Sequence, residues 1–170
     1  MSIILTALVA LFVGFILIAF IGRTAPAAAL GADAAPENWI ARMPPEDFGR
    51  LLELLFVEMK FEIESTNRRG GDVDLFAVNR TPITGARIYV RGVFHPPLGM
   101  VGEEEVRIAV DTARAEMAGK AVVVTPGAFT PDARASALGS PVDLLDGAAL
   151  LVLMKKHLPQ AFAERSIGDH

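Results

Sequence analysis

The side chains able to do chemistry concentrate in one short region. Gly71-Asp72-Val73-Asp74-Leu75 is followed by Arg87-Ile88-Tyr89-Val90-Arg91-Gly92-Val93-Phe94-His95. The first segment offers carboxylates of the kind that hold a hard divalent cation. Mg²⁺ takes oxygen ligands, usually with one or two protein carboxylates among them. The second offers guanidiniums, which stay charged and do not act as bases. Competing chemistry is thin elsewhere. There is no cysteine, and His95, His157 and His170 have no partner at ligand spacing, which argues against zinc. The chain contains neither a phosphate-binding P-loop, a GxGxxG dinucleotide fingerprint nor a Gly-x-Ser-x-Gly elbow. Glu103-Glu104-Glu105 is acidic, but it stands where a helix begins. It reads as a first turn favoured by the helix dipole rather than as a metal cluster.

Several elements must position these residues. Phe48, Leu51, Leu52, Leu55 and Met59 recur at helical spacing after Pro44-Pro45. Phe61 to Glu64 alternates like a half-buried strand, and Asn67 to Gly71 reads as a turn. Val73 to Val78 and Ala86 to Phe94 make two more strands. A long helix is expected over Gly102 to Ala118, then a buried strand over Lys120 to Thr125. Thr130-Pro131 caps a short helix, Val142 to Leu145 is a strand, and Asp146 caps a final helix ending at Lys155, Lys156 and His157. The order is αβββαβαβα, an α/β class with a mixed sheet flanked by helices.

The N-terminal region is different in kind. Ser2 to Gly22 carries no charge and, as a helix, would span roughly 30 Å, enough for a bilayer core. No basic residue precedes it, and the run is longer than a signal-peptide core, so an uncleaved membrane anchor is expected. Arg23 follows it, which places the remainder in the cytoplasm by the positive-inside rule. Thr6, Ala10 and Gly14 form a small-residue stripe suited to pairing two such helices. An Ala/Pro-rich linker is expected over 23–43, the folded domain over 44–158 and a tail over 159–170. The reading is thus a single-pass protein of an inner or plasma membrane.

Net charge is −4, so the chain as a whole has no basic field for nucleic acid. Locally, Arg68, Arg69, Arg80, Arg87 and Arg91 face only Asp72 and Asp74 within their own stretch. This is either a basic binding face or an ordinary solvated hairpin.

Taken together, these residues resemble the Mrr-like branch of the restriction-endonuclease-like (PD-(D/E)xK) nucleases. The resemblance runs from Pro45 to His157. Its first half is Phe48-Gly49, the strand Lys60 to Thr66, and Gly71-Asp72-Val73-Asp74-Leu75, where the family's inner glycine is missing. Its more specific half is Val124-Thr125-Pro126-Gly127-Ala128-Phe129-Thr130-Pro131-Asp132-Ala133 with Leu144-Leu145-Asp146-Gly147.

The resemblance assigns Asp74 to the family's metal-binding aspartate. It puts Gly49 where the helix glutamate would stand, Arg91 in place of a Gln or Glu ligand, and Val93 in place of the lysine. One of four catalytic positions is therefore kept. Arg91 would pair with Asp74 and take the metal's place, while Val93 cannot stabilise charge developing on a phosphate. Restoring the site would need Glu62 or Glu64 to supply a ligand and Lys60 to supply the lost cation. The resemblance therefore implies a nuclease fold without cleavage and without a cofactor, acting on a nucleic acid at Arg68, Arg69, Arg87 and Arg91 or on a protein partner. Two alternatives stand beside it: an active Mg²⁺-dependent DNA endonuclease with a rearranged site, and a structural subunit of a membrane complex.

Overall fold

The computed structural model describes residues 39–81, 85–95 and 99–160. The expected membrane segment with its small-residue stripe, most of the linker, and residues 161–170 of the tail lie outside the described residues. Among the described residues no helix is long and apolar enough to cross a membrane.

Helix α1 (Pro45–Glu58) begins as its sequence requires, with proline at N1 and Glu46 and Asp47 in the first turn. Strand β1 (Glu62–Arg69) then pairs antiparallel with β2 (Asp72–Val78), which pairs antiparallel with β3 (Arg87–Gly92). A two-residue strand β4 (Met100–Val101) leads into α2 (Glu103–Ala115). Next come β5 (Lys120–Val124), the two-residue β6 (Ala128–Phe129), α3 (Pro131–Ala137), β7 (Val142–Leu145) and α4 (Gly147–His157). The main sheet has the order β1-β2-β3-β5-β7, with β5 parallel to both β3 and β7. β4 and β6 form a separate parallel pair.

Each face of the sheet has its own core. Val73, Leu75, Ala77, Ile88, Val90, Val122 and Val124 face α1 and α4 and pack on Phe48, Leu52, Leu55, Leu150 and Met154. Tyr89, Val93, Ala121, Val123 and Val142 face α2 and α3 and pack on Val106, Ala109, Ala113 and Ala133. The two-residue side-chain period of a strand produces this division. It follows that Asp74, Phe76, Tyr89 and Arg91 lie on the α2 side of the sheet. β5 is buried on both sides, which explains its unbroken apolar run.

Several boundaries differ from the sequence reading. β1 runs five residues beyond Glu64, so the turn shrinks to Gly70-Gly71, with Gly70 at φ 61. The polar residues Ser65 to Arg69 form strand because β2 supplies their backbone partners, which periodicity does not reveal. Ile40 and Met43, placed in the linker from sequence, are buried in the α1-side core behind a 3-10 turn at Trp39–Arg42. The small β4–β6 sheet was also unforeseen, because two-residue strands carry no periodic signal.

The Val124-to-Ala133 segment turns out to be a structural device. Thr125 Oγ1 accepts from Gly127 N at 3.2 Å, and Phe129 pairs in register with Val101. Thr130 Oγ1 caps α3 by accepting from Ala133 N at 3.1 Å. Asp146 caps α4 through Ala149 N at 3.0 Å and holds Arg134 at 2.9 Å.

Gly92 is the tightest point beneath the site strand. A Cβ there would sit 2.5 Å from Val73 Cγ1 and 2.6 Å from Leu52 Cδ1, both buried. Gly92→Ala should therefore destabilise the domain by about 1–3 kcal/mol, as overpacking does. A melting curve unchanged from wild type would contradict this packing.

Candidate functional site

β2 and β3 are in register with Asp74 directly opposite Arg91. Directly opposed residues share a face, so the two side chains meet by construction. Arg91 Nη1 donates to Asp74 Oδ1 at 3.0 Å, and Arg91 Nε donates to Glu105 Oε2 at 2.6 Å. Tyr89 Oη donates to the same Asp74 oxygen at 2.5 Å. The side chains of Arg91, Asp74 and Glu105 are 16%, 24% and 22% exposed, so the set is shielded but not sealed. The guanidinium thus bridges a carboxylate from the neighbouring strand and one from the first turn of α2.

Protonation follows from that geometry. Burial pushes the Tyr89 hydroxyl up to about 12 from 10.0, and the Asp74 carboxylate adds to the rise. Burial alone would disfavour the charge on Arg91. The hydrogen bonds to Glu105 and Tyr89 and the two nearby carboxylates outweigh it and hold the guanidinium pKa above its ordinary value.

The donor set does not suit a divalent metal. Asp74 Oδ1 already accepts from Arg91 and Tyr89, and the group between the two carboxylates is a cation. Among the described residues no three His, Cys, Asp or Glu side chains converge on a point that could hold a metal ion. Asp72, on the same face, accepts from Phe94 N at 3.2 Å and so braces the end of β3.

The other candidates are placed as follows. Gly49 faces Arg68 and Val73 on the α1 side; a Cβ there would meet Arg68 Nε at 3.2 Å. It does not join Asp74, which lies on the opposite face. Val93 is fully buried in the α2-side core, where a lysine ammonium would be desolvated. Glu62 and Glu64 do not migrate to the site: Glu62 binds Arg80 at 2.5 Å and Glu64 binds Arg87 at 2.7 Å. Lys60 occupies the α1–β1 turn at φ 69. Glu62 lies opposite Val78, four residues along β2 from Asp74, about 13 Å away at strand rise.

The arginine set is largely engaged within the fold. Arg68 binds Glu53 at 2.6 Å, and Arg87 also donates to the Glu116 carbonyl and lies 4.6 Å over the Phe76 ring. Of the four nucleic-acid candidates only the Arg69 side chain has no ion pair or hydrogen bond among the described residues. The local excess of positive charge read from the sequence is corrected accordingly: Glu53, Glu62, Glu64 and Glu105 come from other elements to offset it. Glu105 is the member of this cluster that the sequence does not disclose. It was assigned to the helix start, which is correct, but its spacing from Arg91 carries no signal of contact.

Sheet order, flanking helices and the position of Asp74 define a restriction-endonuclease-like fold. The chain belongs to the Mrr_cat restriction endonuclease family, whose model matches residues 40–154. Among solved structures it is similar to the DNA modification-dependent restriction endonuclease AspBHI, with TM-score 0.54 and 15% identity, covering 80% of this chain and 40% of that one. The MspJI restriction endonuclease, in complex with a 27-mer oligonucleotide, matches with TM-score 0.45 and 20% identity over 72% of this chain and 30% of that one. The chain thus spans less than half the length of either, and at these identities the likeness concerns the fold. No curated protein sequence matches the chain.

Tyr89 is the sole tyrosine, so a tyrosinate absorbance titration reports it alone. Its midpoint should lie near 12 in the folded protein. Because the folded pKa is raised, its stability contribution is complete below the unfolded value near 10 and is lost as pH rises through 12. A midpoint at 10 in still-folded protein would show that Tyr89 is neither buried nor bonded to Asp74 in solution.

Proposed function

We propose that this chain is a non-cleaving member of its family, a restriction-endonuclease-like domain used for binding. The observation that carries this reading is the Arg91 guanidinium bridging Asp74 and Glu105. Metal-assisted phosphodiester cleavage needs oxygen ligands and a cation stabilising the developing charge. Here the one family carboxylate is committed to an arginine, and the lysine position is a core valine. Of the two kinds of partner, the ion pairing of Arg68, Arg87 and Arg91 favours a protein. The similarity to AspBHI, a DNA modification-dependent restriction endonuclease, keeps nucleic acid as the alternative. No cofactor is required by this reading.

The test uses purified chain with Mg²⁺ or Mn²⁺ and supercoiled plasmid. Cutting should not exceed background. Cutting that disappears in Asp74→Ala would overturn the proposal and establish an endonuclease with a rearranged site. A parallel measurement probes the metal directly. Millimolar Mg²⁺ should raise the melting temperature of Arg91→Gln but leave wild type unchanged, since ligand binding to the native state stabilises it. DNA binding is read separately: a steep loss of affinity with salt would mark phosphate contacts, and no binding favours the protein partner.

We further propose that Ser2 to Gly22 anchors this domain to a membrane, with the domain on the cytoplasmic side. Its support is the uncharged run followed by Arg23. Protease added to intact cells should leave the domain uncut; digestion from outside, or a mature N-terminus near Ala28, would refute it.

A further inference from the structure

Of the four α-helices described, only α4 carries no acidic side chain, in a chain whose net charge is −4. Its outward face is formed by Ala148, Leu151, Val152, Lys155 and Lys156, at the three- and four-residue spacing of one helix stripe. Leu151 is half-buried and the other four are exposed, Val152 by 65%. Leu150 and Met154, on the opposite side, are in the core. The helix is therefore apolar on both sides, with its cations at one end. Cations there suit the helix dipole, but the dipole accounts neither for an exposed valine nor for the lack of any acid. The outward face of α2 is the ordinary solvated alternative: Glu104 pairs with Arg107 and Asp111 with Arg114. α1 also exposes Leu54 and Val57, but it carries Glu46, Asp47, Glu53 and Glu58.

We propose that this outward face of α4 docks on the anionic cytoplasmic surface of the bilayer that Ser2 to Gly22 enters. Such docking presupposes the anchor proposed above. Lys155 and Lys156 meet anionic headgroups, an attraction that acts close to the membrane and fades within a Debye length. Ala148, Leu151 and Val152 meet the boundary of the acyl region, where apolar side chains leave water. The four carboxylates of α1 are repelled by the same surface, so α4 is the helix on this side of the sheet that can approach it.

The chain itself keeps the surface within reach. Residues 23–38 lie between the anchor and Trp39, and sixteen residues span at most about 55 Å even when fully extended. A domain held that close meets the surface intramolecularly, at an effective concentration on the order of millimolar, so two lysines and a few apolar side chains suffice. The layers of the fold set the consequence. α4 packs beside α1 and β7 on one side of the sheet, and α2 covers the other. Docking through α4 turns α2 and the Arg91 cluster away from the membrane, toward partners in the cytoplasm.

The absence of cysteine makes the test direct. Ala148→Cys on α4 and Asp111→Cys on α2, both at exposed positions, each carry a single fluorophore. The full chain is placed one per lipid nanodisc containing nitroxide-headgroup lipid. The discs are phosphatidylcholine alone, or equal parts of phosphatidylcholine and phosphatidylglycerol. In anionic discs quenching at position 148 should exceed that at position 111 by at least about threefold, as contact with the headgroups requires. The excess should vanish in neutral discs, and in anionic discs at about 1 M salt, where the Debye length is about 3 Å. It should vanish equally in Lys155→Glu with Lys156→Glu. Melting curves verify folding. If anions at the helix end unfold the domain, Lys155→Gln with Lys156→Gln replaces that pair. Equal quenching at the two positions, or an excess indifferent to lipid charge, salt and substitution, would overturn the proposal. So would a dimer in detergent that the lysine variants abolish while position 148 stays unquenched in discs, which assigns the face to a second copy. Carbonate extraction from vesicles reads the anchor separately. Chain retained with position 148 unquenched refutes the docking alone, whereas chain extracted refutes the anchor and the docking together.

Discussion

The guanidinium of Arg91 is the interaction on which the α2 side of this fold depends. It occupies a shielded position and keeps its charge because two carboxylates reach it from different elements. Asp74 comes from the adjacent strand and Glu105 from the start of α2. One side chain therefore ties the antiparallel half of the sheet to the helix covering the parallel half. Tyr89 completes the set by donating to the Asp74 oxygen that Arg91 also uses. A charge so held is cheap only while all its partners are present. Deleting one leaves another charge partly buried and unpaired, which costs more than the pair contributes.

The same logic extends along the open face of the sheet. Glu64 holds Arg87, Arg87 lies over Phe76, and the Phe76 ring packs 5.0 Å from Tyr89, which binds Asp74. This row runs across three antiparallel strands and ends at Arg91 and Glu105. It matches Arg87 and Arg91 of the stretch that looks basic along the chain with carboxylates from other elements. An electrostatic field strong enough to gather nucleic acid needs unmatched charge. Family membership concerns the backbone; along this row of the sheet the side chains satisfy one another's charges.

The two halves of the sheet also differ in burial. β5 is buried from both sides and is fully committed to the core. β1 is exposed and polar, held by β2 on one edge only. The core draws on β2, β3 and β5 alike, while the outer strand of the antiparallel half contributes only the partly buried Ile63.

Much of this was legible in the chain. Helix starts followed from Pro45, Thr130 and Asp146, because proline geometry and capping oxygens act within a few residues. The strand run Lys120 to Val124 and the order of elements followed from side-chain periodicity, and the resemblance of the Val124-to-Ala133 and Leu144-to-Gly147 segments carried the family. The meeting of Asp74 and Arg91 was readable because adjacent antiparallel strands impose it once the register is known. Tertiary structure alone decided the rest. Gly49 and Asp74 proved to lie on opposite faces of the sheet. Ile40 and Met43 entered the core from a segment that looks like linker. Polar residues 65–69 became strand through pairing with β2. Above all, Glu105, fourteen residues beyond Arg91, completed the site, and distant glutamates offset a basic hairpin. Charge acts through space, and a sequence records only distance along the chain.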